Sequence, residues 1–183
     1  MAVRRMSFAL LLGLALVCGC SDDEATEAGA DAPELITVTS AAFRDGQRVP
    51  ARFTCDGEEV SPPLEWSGVP KAAKALALVV DDPDAPGGIF VHWVALDIPV
   101  DVSSVSTDAV PRGAVEIANS AGDPSYAGPC PPSGTHHYRF TVYALSEPTG
   151  LDRGVGREEA LAEVDDLTIG RGTLVGTYQR SGS

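Results

Sequence analysis

Short apolar and β-branched segments alternate along this chain with loops rich in proline and glycine, of which it contains 14 and 19 respectively. Such segments are typical of strands, because alternating or continuous apolar residues suit one or both faces of a sheet. The predicted strands are residues 35–40, 75–80, 89–98, 138–145 and 173–180. The predicted loops between them are residues 60–70, 82–88 and 122–135. This order of segments favours antiparallel sheets over a helix bundle.

One segment has helical spacing. Between residues 157 and 167, Leu161, Val164 and Leu167 lie on one side of a helix, and acidic residues occupy its first turn, where the helix dipole favours them. The 183 residues of the chain are enough for one domain of ordinary size, about 100–200 residues. We therefore expect residues 34–183 to form a mainly β domain, an antiparallel β-sandwich with one short helix near the C-terminus.

The N-terminal segment has the three parts of a secretory signal: two early arginines, an apolar run at residues 8–17 and a small residue, Gly19, before Cys20. The run is too short for a spanning helix, which needs about 20 apolar residues. Gly19 and Cys20 are also similar to a bacterial lipobox, in which the cysteine after the cut is lipidated. Cys20 fits this pattern better than Cys18, which follows a bulky residue. We expect residues 1–19 to be a lipoprotein signal peptide and Cys20 to be lipidated; an ordinary signal without a lipid is the alternative.

Residues 20–33 are predicted to be an acidic, flexible tether, because they contain five acidic residues and no basic ones. The whole chain has 26 acidic and 13 basic residues, so acyl groups rather than charge would hold it at an anionic membrane. The same charge excludes nucleic acid as a partner, since phosphate binding needs Lys and Arg. Ser21 after Cys20 predicts the periplasmic face of the outer membrane within a bacterial cell envelope.

The chain has three histidines, and their positions point to a site. His92 interrupts an apolar strand, where a single histidine is most simply a hydrogen-bonded core residue. His136 and His137 precede Tyr138 at the start of a strand, so alternation places His136 and Tyr138 on one face and His137 on the other.

Two proline-stiffened loops, residues 82–86 and 128–135, adjoin these strands. Each loop alone is explained as a turn or a rigid crossover. Together they bring carboxylates, imidazoles and a phenol into one region. Imidazole N–H, tyrosine O–H and backbone N–H groups donate hydrogen bonds, and an aspartate orients an imidazole, so this set suits a small anion. We expect Asp82 and Asp84 in the first loop to favour the charged forms of His92 and His136, so that anion affinity falls as the pH rises above about 7.

In this order the motifs at residues 82–86, 92–93 and 128–138 resemble the signature of the phosphatidylethanolamine-binding protein family. Residues 53–57, 61–66 and 176–180 resemble its bacterial, Raf-kinase-inhibitor-like branch, and the similarity spans about residues 35–180. The resemblance implies a β-sandwich with a pocket for phosphate-type anions or phosphorylated head groups. Carried over by motif, the ligand-binding residues are Asp82, Asp84, Pro86, His92, Gly128, His136 and Tyr138.

The resemblance implies a non-catalytic binding protein that acts as a regulator or inhibitor of a kinase or protease, with no cofactor and no metal. Its partners would be a phosphate-type anion or phospholipid head group, a protein target and, through the lipid anchor, a membrane. His137 stands where many relatives have arginine. The chain also lacks the C-terminal extension of eukaryotic members, so the phospholipid and kinase roles known there transfer poorly.

A hydrolase is the alternative function. Asp82, His92 and His136 would then bind zinc, or Ser133 near His136 would act as a nucleophile. Against this, the histidines lack close metal-ligand spacing, and Ser133 lies in a proline-rich loop rather than at a strand–turn–helix elbow.

Cys55 and Cys130 remain once Cys18 and Cys20 are assigned to the export segment. Two cysteines in an exported domain favour a disulfide. Two buried free thiols are the alternative.

Overall fold

Nine strands in two sheets and one α-helix make up residues 32–180, the part of the chain that the computed structural model describes. The segments on which the signal peptide and Cys20 were predicted lie outside these residues, as does most of the tether. The helix, α1, is Arg157–Leu167, and a short 3-10 turn is Ala51–Phe53. The strands are β1 (Thr37–Thr39), β2 (Gln47–Arg48), β3 (Leu64–Ser67), β4 (Ala75–Asp82), β5 (Phe90–Ile98), β6 (Ser104–Val105), β7 (Val115–Ile117), β8 (His136–Leu145) and β9 (Thr168–Tyr178).

The larger sheet has the order β2-β9-β8-β4-β5-β7, and the smaller sheet has the order β1-β3-β6. All neighbouring strands are antiparallel except β2 and β9. The small sheet packs on one face of the large sheet, and α1 packs on the other. The expected mainly β fold, a sandwich with one helix near the C-terminus, is therefore confirmed.

Strand β4 shows why the sequence has continuous apolar runs. All eight of its residues are buried. Leu76, Leu78 and Val80 pack toward the small sheet, whereas Ala77 and Val79 pack toward α1. Because both faces of the central strand are covered, it has no polar alternation.

The helix has the bounds that its spacing predicts, with Ala160 and Val164 buried against the sheet. None of the helices within residues 32–180 is long and apolar enough to cross a membrane.

Several strand ends differ from the prediction by one to three residues, and two predictions differ by more than that. The loop expected at residues 60–70 contains β3, a four-residue strand whose Leu64 and Trp66 point inward between exposed neighbours; the flanking prolines and glycine hid this short alternation. The last strand begins at Thr168, directly after α1, rather than at residue 173. Its first half contains Gly170 and Gly172, which weaken the strand pattern. The two- and three-residue strands β2, β6 and β7 were not predicted, because so few residues carry no periodicity.

A glycine is needed at position 172 of β9 because the backbone of residues 35–36 lies directly against it. The N–H groups of Leu35 and Ile36 both donate to the Arg171 carbonyl, 2.9 Å away. A Cβ atom added at Gly172 would overlap the Ile36 carbonyl group, which is backbone and cannot rotate away. The glycine therefore allows the chain before β1 to lie on the large sheet.

We predict that Gly172→Ala lowers the free energy of unfolding by about 1–3 kcal/mol, the usual cost of overpacking a tight contact. Urea denaturation monitored by circular dichroism measures this change. Gly154→Ala is the matched control, because nothing lies within 4 Å of a Cβ atom placed there. Equal stabilities of the two variants would contradict this account of Gly172.

Candidate functional site

A cavity of about 340 Å³ opens where β4, β5 and β8 meet the loops at one edge of the large sheet. Asp82 ends β4, His92 is near the start of β5, and His136 and Tyr138 begin β8. The strands are antiparallel, so the end of one and the beginnings of the other two meet at the same edge. The predicted residues Pro86 and Gly128 also line this cavity.

Asp82 and His136 form a buried pair at the cavity wall. His136 Nδ1 lies 2.7 Å from Asp82 Oδ2, and less than a tenth of either side chain is exposed. The second carboxylate oxygen, Oδ1, accepts the Asp84 backbone N–H at 2.8 Å. Because a carboxylate only accepts, the proton of this contact is on His136 Nδ1. The pair thus fixes the orientation of the imidazole, as the sequence predicted for an aspartate near a histidine.

His92 is held by a backbone carbonyl rather than by a carboxylate. Its Nδ1–H donates to the Ala127 oxygen at 2.8 Å, which leaves Nε2 as an acceptor in the neutral ring. Burial lowers the pKa of His92 and outweighs both this hydrogen bond and the charge of Asp82, which raise it. Asp82 thus favours the charged form of His92 as expected, but the expected net shift of its pKa is wrong, because loss of solvation dominates over this attraction.

Tyr138 lies between the two histidines. Its ring centroid is 5.3 Å from that of His92, edge to face, and 6.5 Å from that of His136, stacked. The side chain is fully buried, and its hydroxyl has no close hydrogen-bond partner among the described residues. Burial, followed by the charge of the Asp82 carboxylate and hydrogen bonding to it, raises the pKa of Tyr138, so the phenol keeps its proton and can donate. The hydroxyl is thus near Asp82 but makes no close hydrogen bond within residues 32–180.

Glu59 is a residue of the cavity wall that the sequence does not reveal. This residue has φ +58°, and its Oε1 accepts the Gly128 N–H at 3.3 Å at the cavity wall. A Cβ atom at Gly128 would lie 3.0 Å from both the Thr54 backbone and the Glu59 side chain, so only glycine fits there without displacement. The two segments are 69 residues apart in sequence. In the sequence, the signal that could have linked these two segments is the pair Cys55 and Cys130, because a disulfide between them would bring Glu59 close to Gly128.

Cys55 and Cys130 are joined by a disulfide, with their Cα atoms 5.4 Å apart. Cys130 also lines the cavity, and the Cys55 N–H donates to the Pro129 carbonyl at 3.2 Å. The sequence left open whether these cysteines form a disulfide or remain free thiols, and the structure contains the disulfide. The bridge connects the segment that contains Glu59 to the loop that contains Gly128.

Asp84 does not line the cavity. Its Oδ2 accepts both the backbone N–H of His137 at 2.8 Å and the Nδ1–H of the same residue at 2.7 Å, and both side chains are about half exposed. Burial opposes the effect, but these hydrogen bonds lower the pKa of Asp84. Of the seven predicted ligand residues, Asp84 is thus the one that the structure places outside, where it ties the first loop to β8.

The hydrolase alternative gains no support. Ser133 is exposed and lies outside the cavity wall. Within residues 32–180, no group of three or more His, Cys, Asp or Glu residues is arranged to hold a metal ion. His136 Nδ1 is already engaged by Asp82.

Comparisons with known proteins agree on one family. The model of the phosphatidylethanolamine-binding protein family matches residues 39–179. A UPF0098 protein of Methanothermobacter thermautotrophicus is 44% identical over 144 residues, 76% of this chain and 95% of the relative. The "Putative lipoprotein LppC" of Mycobacterium tuberculosis is 43% identical over 152 residues, 82% of this chain and 75% of the relative. The crystal structure of CT736 from Chlamydia trachomatis, 37% identical, matches with a TM-score of 0.76 over 81% of this chain and 99% of that one.

The neutral state of His92 predicts how stability varies with pH. An unfolded histidine takes up a proton below about pH 6.5, whereas folded His92 has a lowered pKa and takes it up only at a lower pH. The unfolded state then binds more protons, so this residue makes stability fall as the pH drops below about 6.5, by at most about 1.4 kcal/mol per pH unit for one proton.

We expect His92→Gln, which keeps an N–H donor for the Ala127 carbonyl, to show a shallower loss of stability between pH 7 and pH 5 than the unsubstituted protein. Urea unfolding at several pH values measures the two slopes. Above pH 7.5 the curves should run parallel, because His92 is neutral in both states there. Parallel curves across the whole range would mean that burial does not control this histidine.

Proposed function

The chain belongs to the phosphatidylethanolamine-binding protein family, and from this premise we propose that it is a non-catalytic binding protein whose cavity holds a phosphate-type anion or a phosphorylated head group. The buried hydroxyl of Tyr138, which lines the cavity and makes no close hydrogen bond within residues 32–180, is the observation that carries this proposal. An anionic oxygen would accept this donor. His136, oriented by Asp82, adds an N–H from Nε2 when its ring is protonated.

The size and lining of the cavity favour a ligand larger than a bare inorganic ion. Ligand sites usually have volumes of about 300–1,000 Å³, and this one has about 340 Å³. Alanines, proline rings and one phenylalanine form much of the wall beyond the polar groups, among them Ala85, Pro86, Phe90 and Pro132. This lining suits an organic substituent attached to the anion, as in a phosphorylated head group.

The test is calorimetric titration with O-phosphoethanolamine at pH 6. The protein is the full chain carrying Cys20→Ser, which removes the predicted lipid acceptor. We expect binding that weakens by about tenfold or more in His136→Ala, since hydrogen bonds to charged groups contribute about 1.5–3 kcal/mol. His137→Ala is the matched control, because its side chain contacts Asp84 outside the cavity.

Two results would contradict the proposed site. One is the absence of binding by a protein whose fold is confirmed by circular dichroism. The other is equal affinity in the His136→Ala and unsubstituted proteins, which would place the anion elsewhere.

We further propose that the protein is exported and lipid-anchored through Cys20 on the periplasmic face of the outer membrane. The support is the charged, apolar and small-residue order of residues 1–19, the Gly19–Cys20 junction and Ser21 after it. The similarity to a protein named as a lipoprotein in Mycobacterium tuberculosis points the same way.

In a bacterial host fed an alkyne-labelled fatty acid, we expect the full chain to incorporate the label and to sediment with membranes. Cys20→Ala should abolish the label, because the acceptor thiol is lost. Cys18→Ala, two residues earlier in the same segment, should keep it. If Cys20→Ala kept the label and Cys18→Ala lost it, the lipid would be on Cys18 and the proposed anchor at Cys20 would be contradicted.

A further inference from the structure

The N-terminal end of the domain is fixed to the first half of β9. The Arg171 N–H donates to the Pro33 carbonyl at 3.0 Å, and the N–H groups of Leu35 and Ile36 donate to the Arg171 carbonyl at 2.9 Å. The Glu34 carboxylate also forms an ion pair with the Arg171 guanidinium, at 2.9 Å. The chain that comes from Cys20 therefore joins the domain at one defined place on the large sheet.

The pairing of β8 with β9 gives the distance from this place to the cavity. Arg171 lies opposite Tyr143, whereas Tyr178, seven residues further along β9, lies opposite His136 of the cavity wall. Seven residues of an antiparallel strand span about 24 Å, at about 3.4 Å per residue. The N-terminal attachment and the cavity are thus at opposite ends of the large sheet.

The direction of the chain at this attachment leads away from the cavity. Glu34 and Arg171 form a parallel bridge, so the chain from Glu34 onward runs in the direction of β9, toward the cavity end. Followed backward from Glu34 to Pro33, it points away from that end. The turn at residues 70–74 lies at the same end as the attachment, because the Lys74 N–H donates to the carbonyl of Leu145, the last residue of β8, at 2.8 Å.

The predicted tether is short compared with the sheet. It supplies 13 residues, 21–33, and a flexible chain of that length spans about 20 Å on average and about 45 Å when fully extended. To turn the cavity toward the membrane that holds Cys20, the tether would have to run back along the sheet, beyond its average span. Few chain conformations reach so far, so this orientation is sparsely populated.

Charge does not favour either end of the domain. Lys71 and Lys74 lie in the turn beside the attachment, and Arg48 and Arg180 lie near the cavity end of β9. Attraction to an anionic leaflet would act on both pairs. The position of the attachment therefore decides the orientation.

We infer that the lipid-anchored protein holds its cavity away from the membrane that carries its anchor, so that the cavity takes phosphorylated ligands from the aqueous phase rather than head groups of its own leaflet. The inference rests on the proposed function, because it needs both the anchor at Cys20 and the ligand in the cavity. It extends that function by naming the source from which the ligand comes.

Energy transfer from the protein to the membrane tests the orientation. The lipidated full chain is reconstituted in phosphatidylcholine vesicles that contain a head-group-labelled acceptor lipid, and a donor dye is placed on Ala72→Cys or Ser133→Cys. Both side chains are exposed and lie outside the cavity wall, the first in the turn at residues 70–74 and the second in the loop at residues 128–135. Cys55 and Cys130 are joined in the disulfide, so the introduced thiol reacts with the dye.

We expect transfer to be several-fold more efficient from the Ala72→Cys variant than from the Ser133→Cys variant. The matched controls are the same two variants with Cys20→Ser added, which lack the anchor and should both show little transfer. Equal transfer from the two anchored variants, or more from Ser133→Cys, would overturn the inference.

Competition tests the source of the ligand. O-phosphoethanolamine is titrated at pH 6 into the anchored protein on vesicles of phosphatidylcholine alone or with added phosphatidylethanolamine. We expect the same affinity on both. The unanchored Cys20→Ser protein, mixed with the same vesicles, can turn its cavity to the surface, so any loss of affinity caused by phosphatidylethanolamine should appear there. Weaker binding by the anchored protein on the phosphatidylethanolamine vesicles would show that head groups of its own leaflet reach the cavity, and would overturn the inference.

The outcomes separate this inference from the proposed function. Failure of a folded protein to bind O-phosphoethanolamine on either kind of vesicle would contradict the proposed ligand, and with unequal transfer the orientation would stand. Equal transfer together with intact binding would overturn the orientation and leave the binding function standing.

Discussion

The buried carboxylate of Asp82 is the group around which this end of the fold is arranged. A buried charge is costly unless it is paired and hydrogen-bonded, and Asp82 meets that need with two different segments of the chain. One oxygen accepts from the backbone of its own loop at Asp84, which fixes the first turn after β4, and the other accepts from His136 at the start of β8. The loop and the imidazole are therefore positioned by the same side chain. Without that pairing, neither the orientation of His136 nor the shape of the wall would be determined.

The alternation of side chains along the strands separates this chemistry from structural ion pairing. Asp81, one residue before Asp82, points to the opposite face of the large sheet and is bound by Arg139 through two contacts of 2.7 and 2.8 Å. Arg139 likewise follows Tyr138 and points away from the cavity. Because side chains alternate between the two faces along β4 and β8, the permanently charged Arg139 lies on the far face, and imidazoles and a phenol lie at the cavity. For this reason, any anion bound there depends on donors that are neutral or conditionally charged.

The parts of this structure that follow from local sequence could be predicted, and those that depend on distant contacts could not. The continuous apolar run of β4 and the apolar spacing of α1, with Val164 buried and Leu161 and Leu167 partly buried, each reflect packing on one known face or both, so they predict their elements well. The alternation of His136, His137 and Tyr138 correctly placed two side chains inward and one outward. The carbonyl that binds His92 comes from residue 127, 35 positions away, and Glu59 reaches the cavity only because Gly128 permits close approach. Neither contact has a periodic signature. The charge of His92 was mispredicted for the same reason, since desolvation depends on what surrounds the ring in three dimensions.

Stiffness in the surrounding loops bears on what the cavity can discriminate. Groups that are locked in place by their neighbours discriminate between ligands better than groups that relax around whatever binds. Here the Glu59 segment is held to the loop of Gly128 by a disulfide, by the Cys55–Pro129 hydrogen bond and by the contact of Glu59 with Gly128 itself. Prolines at 129, 131 and 132 fix further backbone angles in the same loop. The conformational entropy of these segments is lost on folding rather than on binding. A ligand therefore meets a wall that is already held in place before it binds.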